Sequence, residues 1–217
     1  MLAAMQQPAL TMEDVQVAFG QQTVLSACSL RVAAGEKVCL RGASGSGKST
    51  VLRCLLGLVI PRTGVIRIDD DLLTPRSVWP LRTRMAWAPQ TPDWGRCTVR
   101  EALCRPFSYR VNRTLPAPGP RMEAWLERFD LARSLLDQPT ADLSGGEKQR
   151  LSLVAVLLLN RPILLIDEVT SALDPANRAR VREALAELTG TTVLGVSHDA
   201  QAETWASRVI DLEAARA

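Results

Sequence analysis

The chain has 217 residues, 47% hydrophobic and 23% charged, enough apolar material for one large domain or two small lobes around a buried core. Its net charge of +3 is too small to argue for a nucleic-acid or anionic-membrane partner, and its basic residues are nearly all arginine, with Lys37, Lys48 and Lys148 the only lysines. Five cysteines (Cys28, Cys39, Cys54, Cys97 and Cys104) make neither a CxxC pair nor a zinc-type spacing, so free thiols in a reducing cytoplasm are expected, with metal sensing as the alternative. No basic stretch precedes an apolar run at the N-terminus, and the most apolar stretch, residues 151–159, is far short of the ~20 residues of a spanning helix. A chain soluble by itself is expected.

In chain order, Val15, Val17 and Phe19 alternate with polar neighbours, Gly20-Gln21-Gln22 offers a turn, and residues 24–32 read as a second strand. The Phe19 ring is placed either to stack on a nucleotide base or to fill a strand core. A short apolar strand at 37–40 then runs into Gly42-Ala43-Ser44-Gly45-Ser46-Gly47-Lys48-Ser49-Thr50, and residues 49–58 read as a helix. This is the phosphate-loop pattern in its strand–loop–helix setting. Glycines at 42, 45 and 47 let successive N–H groups turn toward phosphate oxygens, Lys48 brings charge to the β- and γ-phosphates, and the Ser49 hydroxyl can ligate Mg²⁺. The helix N-terminus adds a favourable dipole, so the stretch is expected to bind a nucleoside triphosphate.

Residues 65–69 alternate like an edge strand, and Asp69, Asp70 and Asp71 read as a solvated turn rather than metal ligands. A buried strand at 85–88 ends at Gln90, where α/β sheets put ligand-facing residues. From 91 to about 160 the texture becomes helical, with helices expected at 99–105, 121–129 and 144–158. Trp94, Phe107 and Tyr109 offer an exposed docking face or simple local packing. Within that lobe Leu143-Ser144-Gly145-Gly146-Glu147 opens the long helix. Ser144 is a good N-cap, but two glycines exceed what a helix start needs and point to a second phosphate contact.

The run Ile163-Leu164-Leu165-Ile166 reads as a central parallel strand, and it ends in Asp167 and Glu168. Two idle acids there would be costly. Asp167 is placed to hold Mg²⁺ with Ser49, and Glu168 to orient and polarise an attacking water. Asp174 is expected to cap a helix beginning at Pro175 and reaching about Leu188. A buried strand at 191–196 leads to His198, the single histidine, whose imidazole can donate to the γ-phosphate. A last short strand is expected at 209–212.

Taken together, residues 42–50, Gln90, 143–147, 163–168, 171–174 and His198 resemble the nucleotide-binding subunit of an ABC transporter, over essentially the whole chain. The resemblance implies an α/β P-loop NTPase core with an N-terminal antiparallel β subdomain and an inserted α-helical subdomain. The core would span 1–90 and 161–217, and the helical signature subdomain 91–160, of one domain. It further implies ATP and Mg²⁺ as ligands and a head-to-tail dimer holding two ATP molecules. Each ATP would meet the phosphate loop of one subunit and the Ser144–Gly146 region of the other, with Phe19 on adenine and Asp174 in the same ligand set. Gln90 would link Mg²⁺ and water to the helical lobe, which grips an integral membrane permease at the inner face of the cell membrane; no nucleic-acid partner is implied. Val169 stands where most family members carry proline. With residues 147–150 and 90–92, it makes the chain most similar to the FetA-type iron-export subgroup.

Overall fold

The computed structural model describes residues 7–197 and 204–212. In chain order, β1 (Pro8–Phe19), β2 (Gln22–Ala33) and β3 (Lys37–Arg41) precede α1 (Lys48–Leu55). Then come β4 (Thr63–Ile68), β5 (Asp71–Leu72), α2 (Val78–Arg82) and β6 (Met85–Ala88). Three longer helices follow, α3 (Val99–Ser108), α4 (Gly119–Arg128) and α5 (Gly145–Leu158), and the chain returns to β7 (Ile163–Asp167), α6 (Pro175–Glu187), β8 (Thr192–Val196) and β9 (Arg208–Asp211).

These strands form two sheets. An antiparallel one has the order β2-β1-β4-β5, and a parallel one the order β6-β7-β8-β3-β9. In the parallel sheet alternate residues serve opposite faces, as the two-residue period of a strand requires. Val38, Leu40, Ile163, Leu165 and Leu194 pack with α1 and the antiparallel sheet, whereas Cys39, Leu164, Ile166 and Val193 pack with the helices that follow β6. Every residue of β7 is buried, which explains its unbroken apolar run. The fold class expected from the sequence is the one observed.

Several local expectations are corrected. The helix after the phosphate loop stops at Leu55 rather than 58, because Gly57 takes a left-handed φ of +64°. There its N–H donates to Cys54 O at 2.8 Å, and that of Leu58 to Arg53 O at 2.8 Å, closing the helix end. The strand at 63–68 is not the edge: it lies between β1 and the two-residue β5. The acidic turn is solvated as expected, and Arg84 adds ion pairs to it, its guanidinium reaching Asp69 at 2.9 Å and Asp71 at 2.6 Å. Of the three aromatics offered as a docking face, Trp94 and Phe107 pack against the helical cluster and only Tyr109 is exposed.

One packing contact gives a direct test. A β-carbon added to Gly195 in β8 would lie 2.6 Å and 3.0 Å from ring carbons of the buried Trp205. Gly195→Ala is therefore expected to lower unfolding free energy by about 1–3 kcal/mol, read by urea denaturation. An unchanged midpoint would contradict this packing.

Candidate active site

The loop between β3 and α1 is shaped by contacts only glycine permits. Gly47 has φ +96°, and a β-carbon there would lie 2.7 Å from Leu25 Cδ2 and 3.2 Å from the Val24 carbonyl oxygen. The loop thus presses against β2 just before α1 begins. Lys48 is buried, and its ammonium donates to the carbonyls of Gly42 (2.9 Å) and Ala43 (2.8 Å), which draws the charge back across the loop.

The carboxyl end of β7 meets this loop from the side. Ser49 Oγ donates to Asp167 Oδ1 at 2.9 Å, joining the first turn of α1 to the end of β7. Burial pushes the Asp167 carboxyl above its ordinary range and neighbouring Glu168 adds to the rise, while the Ser49 hydrogen bond, Arg53 and Lys48 oppose it. A cation held between these oxygens would relieve that cost. The donor set fits Mg²⁺: one hydroxyl and one carboxylate supply hard oxygens, and such an ion completes its shell from water and phosphate. Among the described residues no group of three or more His, Cys, Asp or Glu is arranged to hold a metal without such help.

Glu168 follows in a left-handed conformation, φ +49°, unusual for a residue with a β-carbon. Its N–H donates to the Val196 carbonyl at 3.1 Å, and Oε2 accepts from Gln90 Nε2 at 2.8 Å. Backbone held this way at a strand end is the kind of strain found at functional sites. Gln90, Glu168, Lys48 and Ser49 line one cleft of about 280 Å³, whose walls also include Ser44, Gly45, Gly47 and Thr50 of the loop. Phe19 and Val24 line the same cleft, and Phe19 is 54% exposed, so the ring is a wall rather than core.

Other candidate residues stand elsewhere. Ser144 caps α5 through a reciprocal pair with Glu147, its N–H donating to Glu147 Oε2 at 2.9 Å and its Oγ accepting from the Glu147 N–H at 3.3 Å. Neither it, Gly145, Gly146 nor Asp174 lines the cleft. A β-carbon on Gly145 would meet nothing within 4 Å, so none of the described residues requires glycine there. Asp174 caps α6, accepting from the Asn177 N–H at 2.9 Å. His198 lies outside the described residues. Two residues that sequence reasoning missed belong near these elements. Val24 was legible only as a strand residue, and Gln149 has partners more than twenty positions away that no local pattern signals.

A parallel sheet with a phosphate loop after β3, two acids at the end of β7 and helices inserted between β6 and β7 defines a P-loop nucleoside triphosphatase with a helical lobe. A family model described as ABC transporter matches residues 25–171. Over 209 residues the chain is 34% identical to the probable iron export ATP-binding protein FetA of Escherichia coli (strain K12), covering 95% of this chain and 92% of FetA. It is also 34% identical over 215 residues to the energy-coupling factor transporter ATP-binding protein EcfA1 of Bacillus subtilis (strain 168), covering 93% of this chain and 74% of EcfA1. The dimeric post-hydrolysis structure of the ATP-binding cassette MJ0796 bound to ADP and Pi superposes with TM-score 0.80 at 27% identity, covering 93% of each chain. The chain belongs to the ABC transporter family, as its ATP-binding and ATP-hydrolysing subunit.

Proposed function

We propose that two copies of this chain close head to tail on two ATP molecules, and that this closure drives a separate membrane permease. The observation that carries this reading is a divided site: the cleft gathers the phosphate loop with Gln90 and Glu168, but the Ser144–Gly146 helix start lies outside it with open space at Gly145. A capped helix N-terminus with exposed N–H groups is suited to the γ-phosphate of a second subunit's ATP. The similar cassette bound to ADP and Pi is dimeric, which supports pairing of two copies around nucleotide.

In this reading residues 42–50 cradle the triphosphate, Lys48 moves from the loop carbonyls to the phosphates, and Phe19 stacks on the base. Ser49, Asp167 and Gln90 hold Mg²⁺, which when bound neutralises developing phosphate charge. Glu168 takes the proton of the attacking water, Gln90 holds its carboxylate, and His198 donates to the γ-phosphate. Asp174 reaches the shared interface from the start of α6. Residues 1–90 and 161–217 form the nucleotide-binding core, and 91–160 the lobe that carries Ser144–Gly146 and meets the permease.

No helix among the described residues is long and apolar enough to cross a membrane. As the ATP-binding subunit of a membrane transporter, the chain works at the cytoplasmic face of the cell membrane through its partner. Likeness to FetA supports metal-ion export, iron first, and likeness at equal identity to EcfA1 keeps other small cargo as the second reading. Affinity purification from membranes is expected to recover an integral membrane protein in near-equal amount, with chelation of Mg²⁺ stopping hydrolysis but not that association. Recovery of the chain alone from membranes and cytosol would contradict the transport role.

A further inference from the structure

Gln149 lies on α5 one turn beyond the glycine pair, on the same face as Gly145. The residue is 6% exposed, so both ends of its amide need partners. Both go to one short segment that begins three residues after Glu168. Nε2 donates to Ser171 Oγ at 3.1 Å, and Oε1 accepts from the Ala172 N–H at 3.1 Å. A β-carbon added to Gly146 would lie 3.5 Å from Leu173 and 3.6 Å from the Ala172 carbonyl, so helix start and segment are in near-contact there too.

Arg150, the next residue, ties the same helix to the far end of that segment. Its guanidinium donates to Asn177 Oδ1 at 2.7 Å and to the Phe129 carbonyl at 2.9 Å. Asn177 in turn donates to both carboxylate oxygens of Asp174, at 2.9 Å and 2.6 Å. The first turns of α5 and the whole of residues 171–174 are thus fastened at two points.

We propose that Gln149 is a positioning residue that makes the Ser144–Gly146 helix start and the segment after Glu168 move as one body. The inference rests on the proposed function for its consequence: both elements would face the second subunit, and a shift at the γ-phosphate end of β7 would pass directly to the helix start serving the opposite ATP. A buried glutamine needed only for packing would satisfy its amide anywhere. Here donor and acceptor converge on adjacent residues of the loop that leaves the acids, and the tie spans 22 positions in sequence.

Two measurements test this on the intact chain. Hydrogen exchange of the nucleotide-free protein reads the tie alone. Gln149→Ala is expected to speed exchange about tenfold or more at Ala172, whose amide loses its acceptor, and at Glu147 and Lys148, whose N–H groups bond to Ser144, while β7 and β8 stay protected. Steady-state ATPase reads the consequence: kcat is expected to fall about tenfold or more with KM for ATP within about twofold, since Gln149 does not line the cleft. Gln149→Glu keeps the volume and an acceptor for the Ala172 N–H and is expected to restore most of both. Gln149→Met keeps the volume without the acceptor and is expected to restore neither; rescue by this variant would mean that packing alone is at work and would overturn the proposal. Unchanged exchange at Ala172, Glu147 and Lys148, or a raised KM with unchanged kcat, would overturn the proposal. Should the parent chain hydrolyse ATP as a monomer, the proposed function fails, and the exchange result still decides the tie.

Discussion

Glu168→Gln is expected to lower ATP turnover by about 10²–10⁴-fold while leaving the affinity for ATP within about twofold. The substitution keeps size and an acceptor oxygen, so the 2.8 Å bond from Gln90 can persist and the cleft wall keeps its shape. What it removes is basicity at the point where the attacking water would lose its proton. Because ATP would then persist between the subunits, the variant is also expected to accumulate as an ATP-bound dimer, visible as a doubling of mass by light scattering. Turnover at the normal rate would remove Glu168 from the role of base.

Lys48→Ala is expected to act earlier, on binding itself. Charge-assisted hydrogen bonds to a phosphate contribute about 1.5–3 kcal/mol, so affinity for ATP should fall roughly 10- to 150-fold, measured by calorimetric or fluorescence titration. The fold should survive, because Gly42 is half-buried and Ala43 exposed, so water can replace the donors that Lys48 gives their carbonyls. Loss of turnover with ATP affinity unchanged would mean that Lys48 does not grip the phosphates in the ground state. The two variants separate two functions of one cleft: Lys48 holds the nucleotide and Glu168 consumes it.

Much of this was legible in the primary structure because the informative features are local. A phosphate loop is defined by consecutive residues, the buried β7 run by five successive apolar or acidic positions, and the Ser144 and Asp174 caps by the residue just before each helix. What was hidden depends on distant partners. That β4 is covered by β5 follows from a two-residue strand too short to carry an alternating pattern. α2 has five residues with Pro80 among them, below the length at which periodicity means anything. Trp94 and Phe107 looked available for a partner because their burial is created by α3 to α5 folding back on the sheet. The joining of Gln149 to Ser171 and Ala172 crosses the end of α5 and all of β7, so composition and spacing carry no trace of it.

The division of the site between two chains is the centre of the account, and mixing two crippled subunits tests it most directly. Lys48→Ala removes the phosphate grip but keeps the α5 helix start. Gly145→Asp keeps the cleft and is accommodated by its own chain, where an added β-carbon meets nothing within 4 Å, but it sets a carboxylate against the other subunit's γ-phosphate. Each variant alone should be nearly inactive. In an equimolar mixture half the dimers are mixed and each holds one intact composite site of two, so activity should recover to about a quarter of the unmodified level, if pairing is random and the sites act independently. A mixture no more active than its components, or a Gly145→Asp chain as active as the unmodified one, would contradict a site shared head to tail.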